Sequence, residues 1–220
     1  MQEVQHLPLF IASGLALNLT PGPDVMFIVT QSLRGGFRSG SAAALGISAG
    51  CLVHVAAAAL GVSALVAASA TAFGLLKWVG AAYLAWMGWR MLFAPKNIAG
   101  DGNVLANASQ IDGQSERSFS VFRRGFLTNA LNPKVALFFL AFVPQFIVPG
   151  ASSPALAFGL LGMVFIGGGL GVCLGYAWLA ALAAARFSAV QQAMGWVERT
   201  AGALFIALGI RLAFSDNPST

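Results

Sequence analysis

Charged side chains are scarce in this chain. Only 12 Lys and Arg and 7 Asp and Glu occur among 220 residues, so 9% of the residues carry a charge. Apolar residues make up 58% before the 26 glycines are counted, and the mean hydropathy is +0.79. A soluble domain needs far more polar surface than this to face water. The composition therefore excludes an ordinary soluble protein, and it excludes a disordered chain as well.

Cysteine and histidine are also scarce, with two of each. So few residues can neither frame a disulfide scaffold of this length nor supply a typical metal site. An intramembrane hydrolase would need a nucleophile within reach of a base, but Ser48 and His54 lie six residues apart on different faces of one predicted helix. We therefore expect no enzymatic activity, no metal and no cofactor.

Long apolar runs dominate the chain instead. Six of them approach or exceed the roughly 20 residues that cross a bilayer as a helix. They are 8–33, 40–68, 72–93, 122–147, 154–185 and 193–214. The one long hydrophilic stretch, 95–121, is rich in Gly, Asn and Ser and predicts a flexible loop. We predict an all-α membrane protein with six transmembrane helices, in which 1–94 and 122–220 each carry three.

The distribution of basic residues predicts the orientation of these helices. Six spans place most of the basic residues on the face that holds loop 95–121, and both termini on the opposite face. Cytoplasmic loops carry the excess of Lys and Arg, so loop 95–121 is predicted to be cytoplasmic and both termini to lie on the outer side of the membrane. This bias also accounts for the net charge of +5, so we expect contact with lipid and none with nucleic acid. The basic residues on the predicted cytoplasmic face are Arg34, Arg38, Arg90, Lys96, Arg117, Arg123, Arg124, Arg186 and Arg199.

The two halves of the chain resemble each other. Gly46 and Gly50 in the second run have glycine counterparts 121 positions later, in the fifth run. Asn18 and the pair Pro23-Asp24 in the first run align with Asn129 and Pro133-Lys134 in the fourth, at a shift of 110 to 111. A repeat of three spans must enter the membrane upside down the second time, and many secondary transporters have such inverted repeats. Glycines four residues apart also let helices pack closely, and a homodimer is possible.

Proline-containing motifs interrupt the first and fourth runs. The first motif reads Asn18-Leu-Thr20-Pro21-Gly22-Pro23-Asp24, and the second reads Asn129-Ala-Leu-Asn132-Pro133-Lys134. Proline removes a backbone donor and breaks a helix, which hydrocarbon tolerates only inside a bundle or beside a water-filled cavity. Thr20 and Pro21 have the form of a helix N-cap followed by proline, which predicts a half-helix that begins there. Its positive end would attract a carboxylate.

Asp24 and Lys134 are the two charges that these runs place deep in the membrane. They lie about nine and eleven residues from the predicted cytoplasmic ends, and therefore at similar depth. Ionised side chains at such depth are costly and usually find partners inside the bundle. We predict that they approach each other, either directly or through water or substrate, and that they take part in binding or proton transfer. The alternative is a static ion pair that docks the two halves.

The two motifs resemble the paired motifs of LysE/RhtB amino-acid exporters, inner-membrane proteins of about this length. The resemblance implies export of an amino acid or a close derivative, such as homoserine, threonine or leucine, coupled to the proton gradient. It carries over ten positions as substrate-binding candidates. They are Asn18, Thr20, Pro21, Gly22, Pro23, Asp24, Asn129, Asn132, Pro133 and Lys134.

A transport scheme follows from these residues together with the resemblance. The substrate carboxylate would face the half-helix N-termini and Lys134, and its ammonium would face Asp24, whose protonation from outside would release it. His54 titrates in a useful range and is a second candidate for proton coupling. Two alternatives remain open. One is a passive channel for small solutes, and the other is a membrane thiol-disulfide relay that uses Cys51 and Cys173.

Overall fold

The computed structural model describes residues 3–68, 118–148 and 151–183, with isolated positions between 75 and 89 and between 200 and 210. Most of the predicted spans 72–93 and 193–214 and most of loop 95–121 lie outside the described residues. The described part is almost entirely helical. Its helices are α1 (Leu7–Leu19), α2 (Pro23–Ala68), α3 (Ser118–Ala130), α4 (Pro133–Phe146) and α5 (Pro154–Ala183).

Helix α2 folds back on itself at Gly35 and Gly36. Gly36 has φ +66° and ψ −169°, a backbone conformation that residues other than glycine rarely adopt. The segments on either side, 23–34 and 37–68, then pack against each other. Gly40 lies so close to Ser32 that a Cβ on this glycine would overlap the serine hydroxyl. The chain therefore reverses direction between the predicted first and second spans.

The described helices are apolar enough for a membrane. By length and composition, 154–183 could cross one, and so could 23–61, although the latter contains the reversal at Gly35 and Gly36; their most apolar stretches have mean hydropathies of 2.1 and 1.9. The pair α3 and α4 passes the same test as a third span that is bent by 47°. Large apolar side chains such as Leu60, Leu156 and Met163 are exposed on these helices. A helix that is apolar on its exposed face as well as its buried face is typical of a membrane protein.

Glycines determine how closely the helices approach. A Cβ on Gly46 or Gly50 of α2 would overlap the backbone carbonyl oxygens of Phe122 and Phe126, so these glycines let α3 lie directly against α2. The glycine counterparts in α5 differ, because the structure describes no atom within 4 Å of a Cβ on Gly171. Gly50 also adjoins the Cβ of Asn129, so the close packing of α3 against α2 helps to position this residue of the site.

Helix α1 is tied to α4 at its N-terminal end. Val4 forms a β-bridge with Ile147, and the Gln5 amide donates to the Phe146 carbonyl at 2.8 Å. A buried phenylalanine cluster around Phe10 and Phe138 fills the space between α1, α4 and α5. Because the start of α1 meets the end of α4, the end of α1 lies beside the start of α4, where the two proline motifs meet.

Candidate functional site

The first proline motif separates α1 from α2. Helix α1 ends at Leu19, and its C-cap is Thr20, whose amide and hydroxyl both donate to the Ala16 carbonyl, the hydroxyl at 2.7 Å. Helix α2 begins at Pro23, and its first backbone hydrogen bond runs from the Met26 amide to the Gly22 carbonyl at 2.9 Å. The prediction that Thr20 caps a half-helix beginning at Pro21 is therefore wrong. Thr20 closes α1, and the next helix begins three residues later, at Pro23.

The second proline motif separates α3 from α4. The Asn132 side-chain oxygen caps α4 by accepting from the Lys134 amide at 3.0 Å, and Pro133 occupies the first turn, where no donor is needed. Helices α1 and α3 both have 13 residues and lie 111 positions apart. The helices that follow begin at Pro23 and Pro133, 110 positions apart. The one-residue difference in shift thus falls within the motifs, since the second motif is one residue shorter.

Asp24 is buried between the two motifs and held by two asparagines. Its Oδ2 accepts from the side-chain amides of Asn129 at 2.9 Å and Asn132 at 2.8 Å. Only 8% of Asp24 is exposed. Asp24 lies in the first turn of α2, where the positive end of the helix dipole favours a carboxylate. These donors hold the carboxylate in one orientation against the opposite half of the chain.

Two acceptor oxygens in this site have no partner among the described residues. Within that part of the chain, no donor reaches Oδ1 of Asp24 or Oδ1 of Asn129, although both atoms are buried. Buried polar groups in proteins are nearly always paired, so each exception calls for an explanation. Neither a carboxylate nor an amide oxygen can donate, and these two atoms therefore need a donor or a cation from outside the described structure.

Lys134 is paired with the end of α1 rather than with Asp24. Its Nζ donates to the backbone carbonyls of Leu17 at 3.2 Å and Thr20 at 3.3 Å. These carbonyls end a helix, and the negative end of its dipole favours a cation. The described residues show no direct ion pair between Lys134 and Asp24, although their charges lie close enough to interact. Of the predicted forms of approach, only an indirect one through water or substrate stays open.

The remaining candidates lie around this centre. His54 Nε2 lies 2.8 Å from the Asn129 backbone carbonyl, which makes that nitrogen the donor and fixes the residue that orients Asp24. The Asn18 amide lies against Gly169 of α5, where a Cβ would be 3.0 Å from Nδ2. Pro21 lies in the chain between the two helices, and a Cβ on Gly22 would be 3.1 Å from Lys134 Nζ.

Tyr176 contacts the first motif, and the sequence did not predict this contact. Its hydroxyl, on α5, donates to the Leu19 carbonyl at 2.8 Å. No motif in the sequence pointed to it, because its partner is a backbone atom 157 positions away.

Cys51 and Cys173 are buried free thiols, and no group of three or more metal-ligating side chains occurs within the described ranges. The prediction that the protein holds no metal or cofactor stays a prediction.

The model of the LysE type translocators matches residues 15–216 of this sequence, which include both proline motifs. The chain belongs to this family. A LysE type translocator is a membrane transporter, so membership agrees with the apolar helices and makes the chain a multi-pass membrane protein. Both motifs, and the site between them, lie within the residues that the family model matches.

Several relatives of this translocator have names that describe export. The homoserine/homoserine lactone efflux protein of Salmonella typhi is 33% identical over 93% of this chain and 94% of its own length. The leucine efflux protein of Klebsiella pneumoniae is 29% identical over 70% of this chain and 69% of its own length. A membrane protein of Pseudomonas aeruginosa with no assigned function is 34% identical over 89% and 88%. No solved structure matches this translocator significantly.

Proposed function

We propose that this translocator exports a neutral amino acid or a close derivative, of the homoserine, threonine or leucine type, in exchange for protons. The observation that carries this proposal is the pair of buried, unpartnered oxygens on Asp24 and Asn129. A substrate ammonium has three N–H donors and a positive charge, so it satisfies both oxygens and partners the carboxylate. The efflux relatives support the amino-acid class of substrate.

The substrate carboxylate binds at the N-terminus of α2 in this proposal. The first turn of a helix carries unpaired N–H groups and a partial positive charge, which together bind anions. Lys134 is engaged by the Leu17 and Thr20 carbonyls, so it contributes its charge nearby rather than a free ammonium. Asn18 and Asn132 orient the substrate from either side, and Pro21, Gly22, Pro23 and Pro133 keep the backbone open around it.

Proton coupling follows from competition at Asp24. A proton on Oδ1 neutralises the carboxylate and removes its attraction for an ammonium, so Asp24 carries either a proton or a substrate. Protonation from the more acidic periplasm releases substrate there, and deprotonation to the cytoplasm restores the site. His54 acts on this cycle through the Asn129 carbonyl, because its bond holds the asparagine that orients Asp24.

The proposed architecture has six spans in two inverted repeats. Helix α1 with segment 23–34, and α3 with α4, are the broken first and fourth spans. Their equal first helices and matching proline starts support the repeat. An even number of spans places both termini on one face, and the basic residues around loop 95–121 orient that loop to the cytoplasm and the termini to the periplasm. Reporter fusions at the C-terminus and within loop 95–121 test this orientation, and a periplasmic loop would contradict it.

Substrate competition in proteoliposomes tests the proposed function. The panel contains the twenty amino acids, homoserine and its lactone, with a proton gradient imposed across the membrane. Each transported amino acid is paired with its N-acetyl derivative, which lacks the positive charge. We expect transport of one or a few neutral members that depends on the gradient, and none of their N-acetyl forms. Equal transport of an N-acetyl form would contradict the ammonium site, and transport of no member would contradict amino-acid export. Gradient-independent leak would indicate a channel.

A further inference from the structure

Tyr176 contacts the polypeptide on both sides of the break between α1 and α2. Its hydroxyl donates to the carbonyl of Leu19, the last residue of α1. Its ring packs against the apolar cluster of Val25, Val29 and Ala180, two of which lie in the first turns of α2. A single side chain on α5 therefore links the end of one helix to the beginning of the next.

Among the described residues, Lys134 is the other side chain from the second half that donates to carbonyls at the end of α1. Lys134 Nζ donates to the Leu17 and Thr20 carbonyls, and the Tyr176 hydroxyl donates to the carbonyl of Leu19 between them. Both donors belong to the second half of the chain. Unsatisfied helix-terminal carbonyls are costly in an apolar environment, so these donors determine where the end of α1 can rest.

The face of α5 that carries Tyr176 also contacts α1 at Gly169. Gly169 lies two helical turns before Tyr176, and its lack of a side chain admits the Asn18 amide. Cys173 lies between them and is 6% exposed. Within the described residues, the contacts between α1 and α5 here are one hydrogen bond and side-chain packing, whereas α2 and α3 meet backbone to backbone at Gly46 and Gly50. Helix α5 thus holds α1 less closely than α3 holds α2.

We propose that Tyr176 is a positioning residue for transport, which holds the end of α1 in register with the first turn of α2 and so keeps the Asp24 site in its binding geometry. The inference rests on the proposed export function for its kinetic consequence. Its structural consequence, a grip of α5 on α1, does not depend on that function. Tyr176 touches no substrate in this scheme and acts through the Leu19 carbonyl.

Tyr176→Phe tests the inference because it removes the hydroxyl and keeps the ring. A neutral hydrogen bond has a net value that corresponds to about a 3- to 10-fold change in an equilibrium. We expect the apparent KM for the transported amino acid to rise by about that factor while the maximal rate is retained, since a smaller fraction of the protein is binding-competent. Tyr83→Phe is the matched control, because Tyr83 is the other tyrosine of the chain and lies outside both proline motifs in the sequence.

Thiol labelling provides the readout that needs no transport. In a Cys51→Ala background, Cys173 alone reacts with N-ethylmaleimide, and it lies three residues from Tyr176. We expect Tyr176→Phe, but not Tyr83→Phe, to speed this labelling without lowering the temperature of unfolding in detergent. Unchanged KM and unchanged labelling would overturn the inference. So would a lower unfolding temperature with unchanged KM, since this would mean that the hydroxyl only stabilises the fold. Faster labelling in a protein that transports nothing would support the grip on α1 and overturn the proposed export.

Discussion

Asp24 and Lys134 are each held by the opposite half of the chain, but not by each other. Asparagine amides donate to the carboxylate, while backbone carbonyls at the end of α1 accept from the ammonium. A direct ion pair would leave those helix-end carbonyls without a donor, which is costly in an apolar environment. Separating the charges leaves one carboxylate oxygen without a partner and therefore ready for a ligand. We therefore propose different roles for the two charges, with Asp24 as a binding group and Lys134 as a support.

Lys134→Met tests the role of Lys134 as a support. The substitution leaves the carbonyls of Leu17 and Thr20 without this donor, and we expect a loss of about 1–3 kcal/mol in the free energy of unfolding. Thermal unfolding in detergent measures the change, with Arg38→Met, an exposed basic residue at the α2 turn, as control. Unchanged stability together with a raised KM would instead assign the Lys134 ammonium to the substrate.

Residue types and their spacing were sufficient to predict which side chains surround the site, but not how they pair. Two prolines and a glycine interrupt a helix for local reasons, and α1 and α2 are separated within that stretch. The partner of each helix-end carbonyl depends instead on which distant side chain the packing brings near. Thr20 was assigned to the wrong helix for a related reason, because its hydroxyl can cap a helix that follows or bond back to the turn that precedes it.

At the scale of helices, the two halves pack unequally around the site. Gly46 and Gly50 bring α3 into backbone contact with α2, while no described atom lies within 4 Å of a Cβ on Gly171, the counterpart of Gly50. The sequence shows the same glycine spacing in both places and so predicts equal packing. The packing differs because α3 lies against Gly46 and Gly50, whereas α1 does not lie against Gly171. Glycine spacing alone does not predict where the neighbouring helix lies. The contact at Gly50 matters for the site because it positions Asn129.

Gly50→Ala and Gly171→Ala form a matched pair that tests this difference. A methyl group on Gly50 would collide with backbone atoms of Phe126 and Ala130, and such overpacking typically costs about 1–3 kcal/mol. The same change at Gly171 meets no described atom, so we expect no loss of stability there. Thermal unfolding of the two variants in one detergent gives the comparison. Equal destabilisation of both would contradict unequal packing.

At the scale of the whole molecule, few residues are charged, and two of those few, Asp24 and Lys134, are buried where the proline motifs meet. Composition predicted an all-α membrane protein, and membership of the LysE type translocators agrees with it. The inverted repeat remains a proposal supported by helix lengths and motif register, since the third and sixth predicted spans lie largely outside the described residues. Within the described ranges, the two halves meet at Asp24, Asn129, Asn132 and Lys134, so a movement of one half against the other changes this site directly.

Proton movement driven by substrate tests the central claim most directly. Purified protein is reconstituted in vesicles that contain a pH-sensitive dye, and a gradient of the transported amino acid is imposed without a pH gradient. The account predicts that wild-type protein moves protons against the direction of substrate flow. It also predicts that Asp24→Asn, which keeps the shape of the side chain but cannot exchange a proton, abolishes this movement and weakens substrate binding about 10- to 100-fold. Proton movement of wild-type size in Asp24→Asn would contradict the account.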